Sequence, residues 1–375
     1  MDVKKILLFT GKFPNYGNDL DGGSVTVNSL INVLSGNCRL DITFTRTPIT
    51  EFSSLCDVSK IHFETYRFRF ADKFERRLKN KPQLAEYLRS GISQYDRVII
   101  THCSKAFGLN MLPEAERKKT ILFPMYLSPS YKRSGEIPPE EYVREEYLAL
   151  NAVGKIITPS ESEKQDIIDF YNVSEDKIKV IPRGFSDCIK PNIKSISGPF
   201  RLLYIASIKE QKNNLEAIIL TNKLRSCGID AELHLVGGVQ DKTIYDECNK
   251  YIKINDLSRF VVFHGVVSQE DLAELISRMH VNISVSNWET YGRGVFEGMA
   301  GALPTVVYDR LDCVAQYVKN GIGIFFVKTR DEFLDTLRTL ACDGDFYRQQ
   351  ALLACDAVKN LSSRQENLRL LEELL

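Results

Sequence analysis

Between residues 287 and 304 the chain reads NWETYGRGVFEGMAGALP, with Glu289 and Glu297 in a segment punctuated by glycine and closed by Pro304. A carboxylate accepts two hydrogen bonds in one plane, which suits a vicinal diol on a sugar ring or a ribose. The run VNISVS (281–286) just before it reads as a buried strand. NWETYG is then expected to be a loop, with a helix starting near Arg293 or Gly294. Glu289 falls at the strand's carboxyl edge and Glu297 in the first turn of that helix. The glycines let backbone approach a ligand, and a helix amino terminus favours a diphosphate. Gly298, Ala300 and Gly301 suit close packing of the helix on its sheet. The plain alternative is a loop charge at Glu289 and a dipole-complementing carboxylate at Glu297.

The elements that must position such a pair repeat along the chain. Short aliphatic or β-branched runs alternate with amphipathic stretches: KKILLFT (4–10), LDITFTR (40–46), KIHFETY (60–66), RVIITH (97–102), TILFPM (120–125), KIITPS (155–160) and KIKVIP (177–182). The second half follows with RLLYIAS (201–207), AELHLVG (231–237), VVFHG (261–265), VNISVS, TVVYD (305–309) and GIGIFF (321–326). Near-continuous apolar strands separated by helices predict parallel sheets covered on both faces. The expected fold class is α/β, two doubly wound Rossmann-like domains facing an interdomain cleft. CIKPNIKSISGPF (188–200) reads as the linker, giving domains over 1–192 and 193–350 and a C-terminal helix over 351–375 that packs back toward the first domain. Ligands of such sheets bind beyond the strands' carboxyl edges, where helix amino termini offer N–H groups.

Bulk properties exclude several classes. The 375 residues carry 49 Lys+Arg against 49 Asp+Glu, so no global basic field points to nucleic acid. Nine cysteines without CxxC or zinc spacing read as buried thiols of a reducing compartment. With no apolar run of membrane-spanning length and no signal-peptide core at MDVKKILLF, the expected localisation is cytoplasmic. The acidic triplets DLD (19–21) and DGD (343–345) sit in loops away from buried strands, read as turn formers, and predict no metal. YRFRFADKFERRLKNK (66–81) interleaves Phe68, Phe70 and Phe74 with basic residues. This is the pattern of a peripheral anionic-membrane surface and equally of a solvated helix with a few core phenylalanines.

ETYGRGVFEGMAGALP matches the frame E-x-[FY]-G-x4-E-x-M-A-x-G-x-P except at Ala302, and so resembles the C-terminal domain of retaining GT-B glycosyltransferases of family 4. LLYIASIKEQKNNLEAI (202–218), LHLVGG (233–238), VVFHGVVS (261–268), KIKVIPRGF (177–185) and DGGSVTVNSL (21–30) resemble other segments of that family, in family order. The resemblance implies that Glu289 contacts the transferred sugar beside backbone N–H groups near Tyr291 and Gly292, and that Glu297 holds the ribose. Lys212 would neutralise the diphosphate, with Gly237 on the donor side and Gly22 and Gly23 meeting the phosphate from the first domain. Without that frame, Lys212 reads as a solvated lysine and the glycine pair as a plain turn. The implied reaction is metal-independent and needs no cofactor. A hexose-type sugar would pass with retention from a nucleotide diphosphate sugar, such as a UDP- or GDP-hexose, to a glycan or lipid-linked acceptor, and cell-surface polysaccharide synthesis is the family-level setting.

Three positions depart from the family pattern. Ser207 stands where an arginine usually precedes the lysine, and Arg293 or Arg183 is a candidate replacement charge. No histidine follows the fifth strand, where Met125 and Tyr126 stand, so His102 and Tyr126 are the acceptor-side candidates. Arg183 also replaces an asparagine of the turn that closes the first domain. Two rival readings remain open on this sequence, a sugar-nucleotide epimerase on the same fold and a degenerate partner-binding subunit. Donor identity, acceptor and oligomeric state stay unassigned.

Overall fold

The computed structural model describes residues 4–11, 22–44, 56–60 and 73–375. The chain divides into two units, Met1–Pro182 with Asn367–Leu375, and Arg183–Glu366.

The first unit holds seven strands: β1 (Lys5–Thr10), β2 (Arg39–Phe44), β3 (Cys56–Lys60), β4 (Arg97–Thr101), β5 (Thr120–Phe123), β6 (Lys155–Thr158) and β7 (Ile178–Val180). They form one sheet in the order β3-β2-β1-β4-β5-β6-β7, every pairing parallel. Chain order reverses between β1 and β4, so the switch point lies at their carboxyl ends. Apolar residues on both faces of the same strands explain the parallel sheet. Leu7, Phe9, Val98 and Ile100 pack on one side, and Ile6, Leu8, Ile99 and Ile121 on the other. Leu370 and Leu374 of the last helix complete the second cluster.

The second unit repeats the plan with β8 (Phe200–Ile205), β9 (Ala231–Val236), β10 (Val261–Gly265), β11 (Val281–Ser284), β12 (Thr305–Tyr308) and β13 (Ile324–Val327). The order is β10-β9-β8-β11-β12-β13, again all parallel, with the switch point between β8 and β11. One face carries Leu202, Tyr204, Val306 and Phe333, and the other carries Leu203, Phe296, Met299 and Val307.

Several expected boundaries move. The strand expected over 60–66 appears as Cys56–Lys60, and residues 61–66 lie outside the described ones, as do DLD and Phe68 and Phe70. The last strand starts at Ile324 instead of residue 321 because Gly321 and Gly323 adopt φ of 81° and 69°. A Cβ on Gly323 would lie 2.2 Å from the Ala354 backbone. Residues 351–375 are not one helix: a 3₁₀ turn at Lys359–Leu361 separates Gly344–Val358 from Ser363–Leu374, and Ser362 bridges to Phe185 there. Asp343, first residue of the DGD triplet, caps the Gly344–Val358 helix by accepting from Phe346 N at 2.9 Å. Among the described residues no helix is long and apolar enough to cross a membrane.

Candidate functional site

The second unit places Lys212 after β8 and Glu289 after β11, at the two strand ends that define its switch point. Lys212 ends a 3₁₀ turn, Glu210–Lys212, that leads into the helix Asn214–Ser226. The two loops are tied together by backbone and side chain. Asn287 N donates to Gln211 O at 2.9 Å, and Gln211 Nε2 donates to Trp288 O at 2.9 Å. Lys212 Nζ consequently meets Glu289 Oε1 at 2.5 Å, with both side chains mostly shielded from water. A pair so shielded interacts more strongly than a surface ion pair.

Ser286 and Tyr204, neither singled out from the sequence, complete this network. Ser286 Oγ donates to Glu289 Oε1 at 2.8 Å, and the Tyr204 hydroxyl donates to Lys212 O at 2.6 Å while lying 2.8 Å from Ser286 Oγ. Tyr204 is buried, and burial followed by the Glu289 charge raises its hydroxyl pKa far above the usual tyrosine range. Cys313 is also pushed up by burial and then by Glu289, with Lys212 acting in the opposite direction. The signals available in sequence were slight: a serine three positions before Glu289, and a tyrosine inside an apolar strand.

The helix that follows is Arg293–Ala300, with Gly292 as its N-cap at φ 83° and ψ 42°. Left-handed backbone at this point turns the loop into the helix, and a Cβ on Gly292 would meet Val314 Cγ2 at 2.7 Å. The helix lies against the sheet because its own glycines permit it. A Cβ on Gly294 would sit 2.5 Å from Ile205 O, and one on Gly298 would sit 2.4 Å from the Asn282 side chain. Asn282 is buried and donates to Gly294 O at 3.2 Å. Glu297 is therefore the fifth residue of the helix, one position beyond the first turn expected for it. It is buried, and its Oε1 accepts from Arg293 Nε at 2.8 Å.

Arg293, one of the two candidates for the charge absent at Ser207, is thus paired with Glu297, as Lys212 is with Glu289. Arg183, the other candidate, has its Nη1 3.5 Å from Glu366 Oε1 and is itself nearly buried. Tyr291 contributes its side chain to packing: it lies in the core with Phe296 and Tyr317 and donates to Arg183 O at 2.7 Å. Gly237, at φ 149°, has a packing reason to be glycine, since a Cβ there would fall 2.3 Å from Ala206 O. Ala302, where the family frame has glycine, takes a positive φ of 64°.

In the first unit Gly22 and Gly23 form the first two positions of the helix Gly22–Ser35. His102 follows β4, at the switch point of that sheet. Its backbone takes φ 76°, and its Nδ1 accepts from Ser104 N at 3.2 Å and lies 3.0 Å from Ser104 Oγ. A non-glycine residue in this region carries roughly 1–3 kcal/mol of strain, and such residues cluster at functional sites. Tyr126 lies after β5, its hydroxyl 2.8 Å from Ser134 Oγ. In the described part of 66–81, Phe74 is buried and Arg77 Nη1 donates inward to Tyr131 and Tyr142 at 2.6 and 2.9 Å. Lys73, Lys79 and Lys81 pair there with Glu136, Glu75 and Glu145.

Comparison with known proteins matches residues 187–351 to the model "Glycosyl transferases group 1" and residues 21–187 to "Glycosyltransferase Family 4". Mannosylfructose-phosphate synthase of Agrobacterium fabrum is 25% identical over 183 residues, 45% of this chain and 40% of that protein, so the chain spans less than half of this curated relative. Among solved structures, sucrose-phosphate synthase from Thermosynechococcus elongatus superposes with a TM-score of 0.80 at 15% identity, covering 99% of this chain and 98% of the other. HepE of Anabaena, solved in complex with UDP and glucose, gives a TM-score of 0.75 at 16% identity over 99% of both chains. Together, the two adjoining matches run glycosyltransferase-type domains from residue 21 to residue 351, and the pair of parallel doubly wound sheets has the GT-B fold of these solved structures.

Proposed function

We propose that the chain transfers a hexose-type sugar from a nucleotide diphosphate sugar to a glycan or lipid-linked acceptor, with retention of anomeric configuration and without a metal ion. The observation that carries this reading is the Lys212–Glu289 pair at the switch point of the second sheet. One group suits an anionic phosphate and the other a sugar hydroxyl, and the amino end of Arg293–Ala300 follows directly. Glu297, the fifth residue of that helix, is the ribose candidate. HepE, which shares the fold, was solved with UDP and glucose, which favours a UDP-hexose as the first donor to try.

In the mechanism that fits, Lys212 and the helix dipole stabilise the departing diphosphate while Glu289 fixes the sugar. The leaving phosphate takes the proton of the acceptor hydroxyl on the same face, so the configuration is kept. His102 and Tyr126 are proposed to serve the acceptor. Cell-surface polysaccharide synthesis at the inner face of a membrane is the proposed setting, with 66–81 as the segment to test for docking by vesicle pelleting at low salt. Donor hydrolysis across a panel of UDP- and GDP-hexoses, with and without EDTA, tests the reaction. Turnover of at least one donor, undiminished by EDTA, is expected. No turnover and no thermal shift with any nucleotide would favour a partner-binding subunit instead.

A further inference from the structure

The candidate site is electrically self-cancelling. Lys212 is neutralised by Glu289 and Arg293 by Glu297, so neither cation brings unmatched positive charge to an incoming diphosphate. A third cation belongs to the same network. Arg310, two residues past β12, donates from Nε to Ser286 O at 3.0 Å and from Nη2 to Val285 O at 3.1 Å. Its guanidinium lies 4.4 Å from the centre of the Tyr308 ring. Arg310 is exposed and, among the described residues, pairs with no carboxylate, although Asp309 and Asp312 are its neighbours in sequence.

One residue links the two cations: Ser286 accepts from Arg310 through its carbonyl and donates to Glu289 through its hydroxyl, and Glu289 meets Lys212. The Tyr204 hydroxyl, which touches both Lys212 O and Ser286 Oγ, is lowered by the Arg310 charge against the larger upward effects of burial and Glu289. Pinned through two N–H groups, the guanidinium loses little further freedom on binding, while Nη1 has no partner among the described residues and can meet an anion. A planar donor array of this kind favours phosphate oxygens over a neutral sugar.

We infer that Arg310 supplies the unmatched positive charge that holds the donor's diphosphate, a role that rests on the glycosyltransferase reading of this site.

The test is calorimetric titration of the full chain with UDP, GDP, the corresponding monophosphates and inorganic pyrophosphate. Arg310→Gln, Arg310→Lys and Lys212→Ala are compared with wild type. Arg310→Gln is expected to weaken diphosphate and pyrophosphate binding by roughly tenfold or more, and monophosphate binding far less. Arg310→Lys, which keeps the charge but not the planar, pinned donor array, should recover part of the loss. Equal weakening of mono- and diphosphates, or no recovery in the lysine variant, would mean that Arg310 only braces the strand exit and would overturn the inference. Unchanged diphosphate binding in Arg310→Gln beside a loss in Lys212→Ala would overturn it too, while leaving the proposed function standing. No affinity of the wild type for any diphosphate would overturn both.

Discussion

Lys212 Nζ and Glu289 Oε1 are joined at 2.5 Å, although 77 positions separate them in sequence. Each follows one of the two strands at which the second sheet reverses its order, so the topology itself creates the pair. The carboxylate is the lysine's counter-ion. A diphosphate that recruits the lysine must therefore compete with Glu289.

That competition gives opposite expectations for the two partners. Lys212→Ala should weaken UDP or GDP binding by about tenfold or more, because a charge-assisted contact is lost. Glu289→Gln frees the lysine and should leave diphosphate binding unchanged or tighten it by a few fold. Titration calorimetry on the two variants decides, and equal weakening by both would refute the counter-ion role.

Ser286 holds Glu289 by one hydrogen bond and contacts the Tyr204 hydroxyl by another. Ser286→Ala removes a bond worth roughly 0.5–1.5 kcal/mol, so turnover should fall a few fold with diphosphate affinity nearly intact. A variant with wild-type kcat would show that the lysine alone orients the carboxylate.

Gly298 lies in a helix interior, where alanine is normally favoured by about 1 kcal/mol. Here the added Cβ would lie 2.4 Å from both Cγ and Nδ2 of buried Asn282. Overpacking of this sort costs about 1–3 kcal/mol and also disturbs the Asn282 bond to Gly294 O. Gly298→Ala should therefore lower stability by about 1–2 kcal/mol in urea melts, and a rise would show that the helix can move off its sheet.

Much of this arrangement was legible in the sequence because it is local. Apolar runs announced β8, β9 and β11 within a residue or two, since a strand buried on both faces must be continuously hydrophobic. The glycine-punctuated loop likewise placed the helix start near Arg293 or Gly294, and it falls at Arg293. The electrostatics were not legible. That Arg293 is engaged by Glu297 follows from an i,i+4 spacing on one helix, visible once the helix start is known. That Lys212 meets Glu289, and Arg310 the Ser286 carbonyl, depends on which strands are neighbours in the sheet. At Tyr291 only the backbone was expected at the site, and the side chain is kept for the core.

The first unit carries a separate pH signature in Glu146. It is fully buried, its Oε2 accepts from Ser128 Oγ and Tyr171 Oη at 2.5 Å each, and its Oε1 has no partner among the described residues. Burial pushes its pKa up to about 7, against the downward pull of those hydrogen bonds. An unfolded glutamate releases its proton near pH ~4.3, so between there and about 7 the folded chain binds more protons. Stability from this group is full below the lower value and is lost as pH rises through the upper one. His280, lowered to about 4 by burial, works in the opposite direction as pH falls, so the informative quantity is the difference between variants. Glu146→Gln should flatten the decline in urea midpoint between pH ~5 and ~7.5, and an unchanged slope would assign it to other groups.

The most direct measurement is turnover of a panel of UDP- and GDP-hexoses by wild type and Glu289→Gln, with diphosphate affinity determined on the same preparations. The wild type should release nucleoside diphosphate from at least one donor, and the variant should lose about a hundredfold or more in kcat while binding the diphosphate at least as well as wild type. Retained turnover in the variant, or loss of turnover only in proportion to lost diphosphate binding, would contradict the assignment of Glu289 to the transferred sugar.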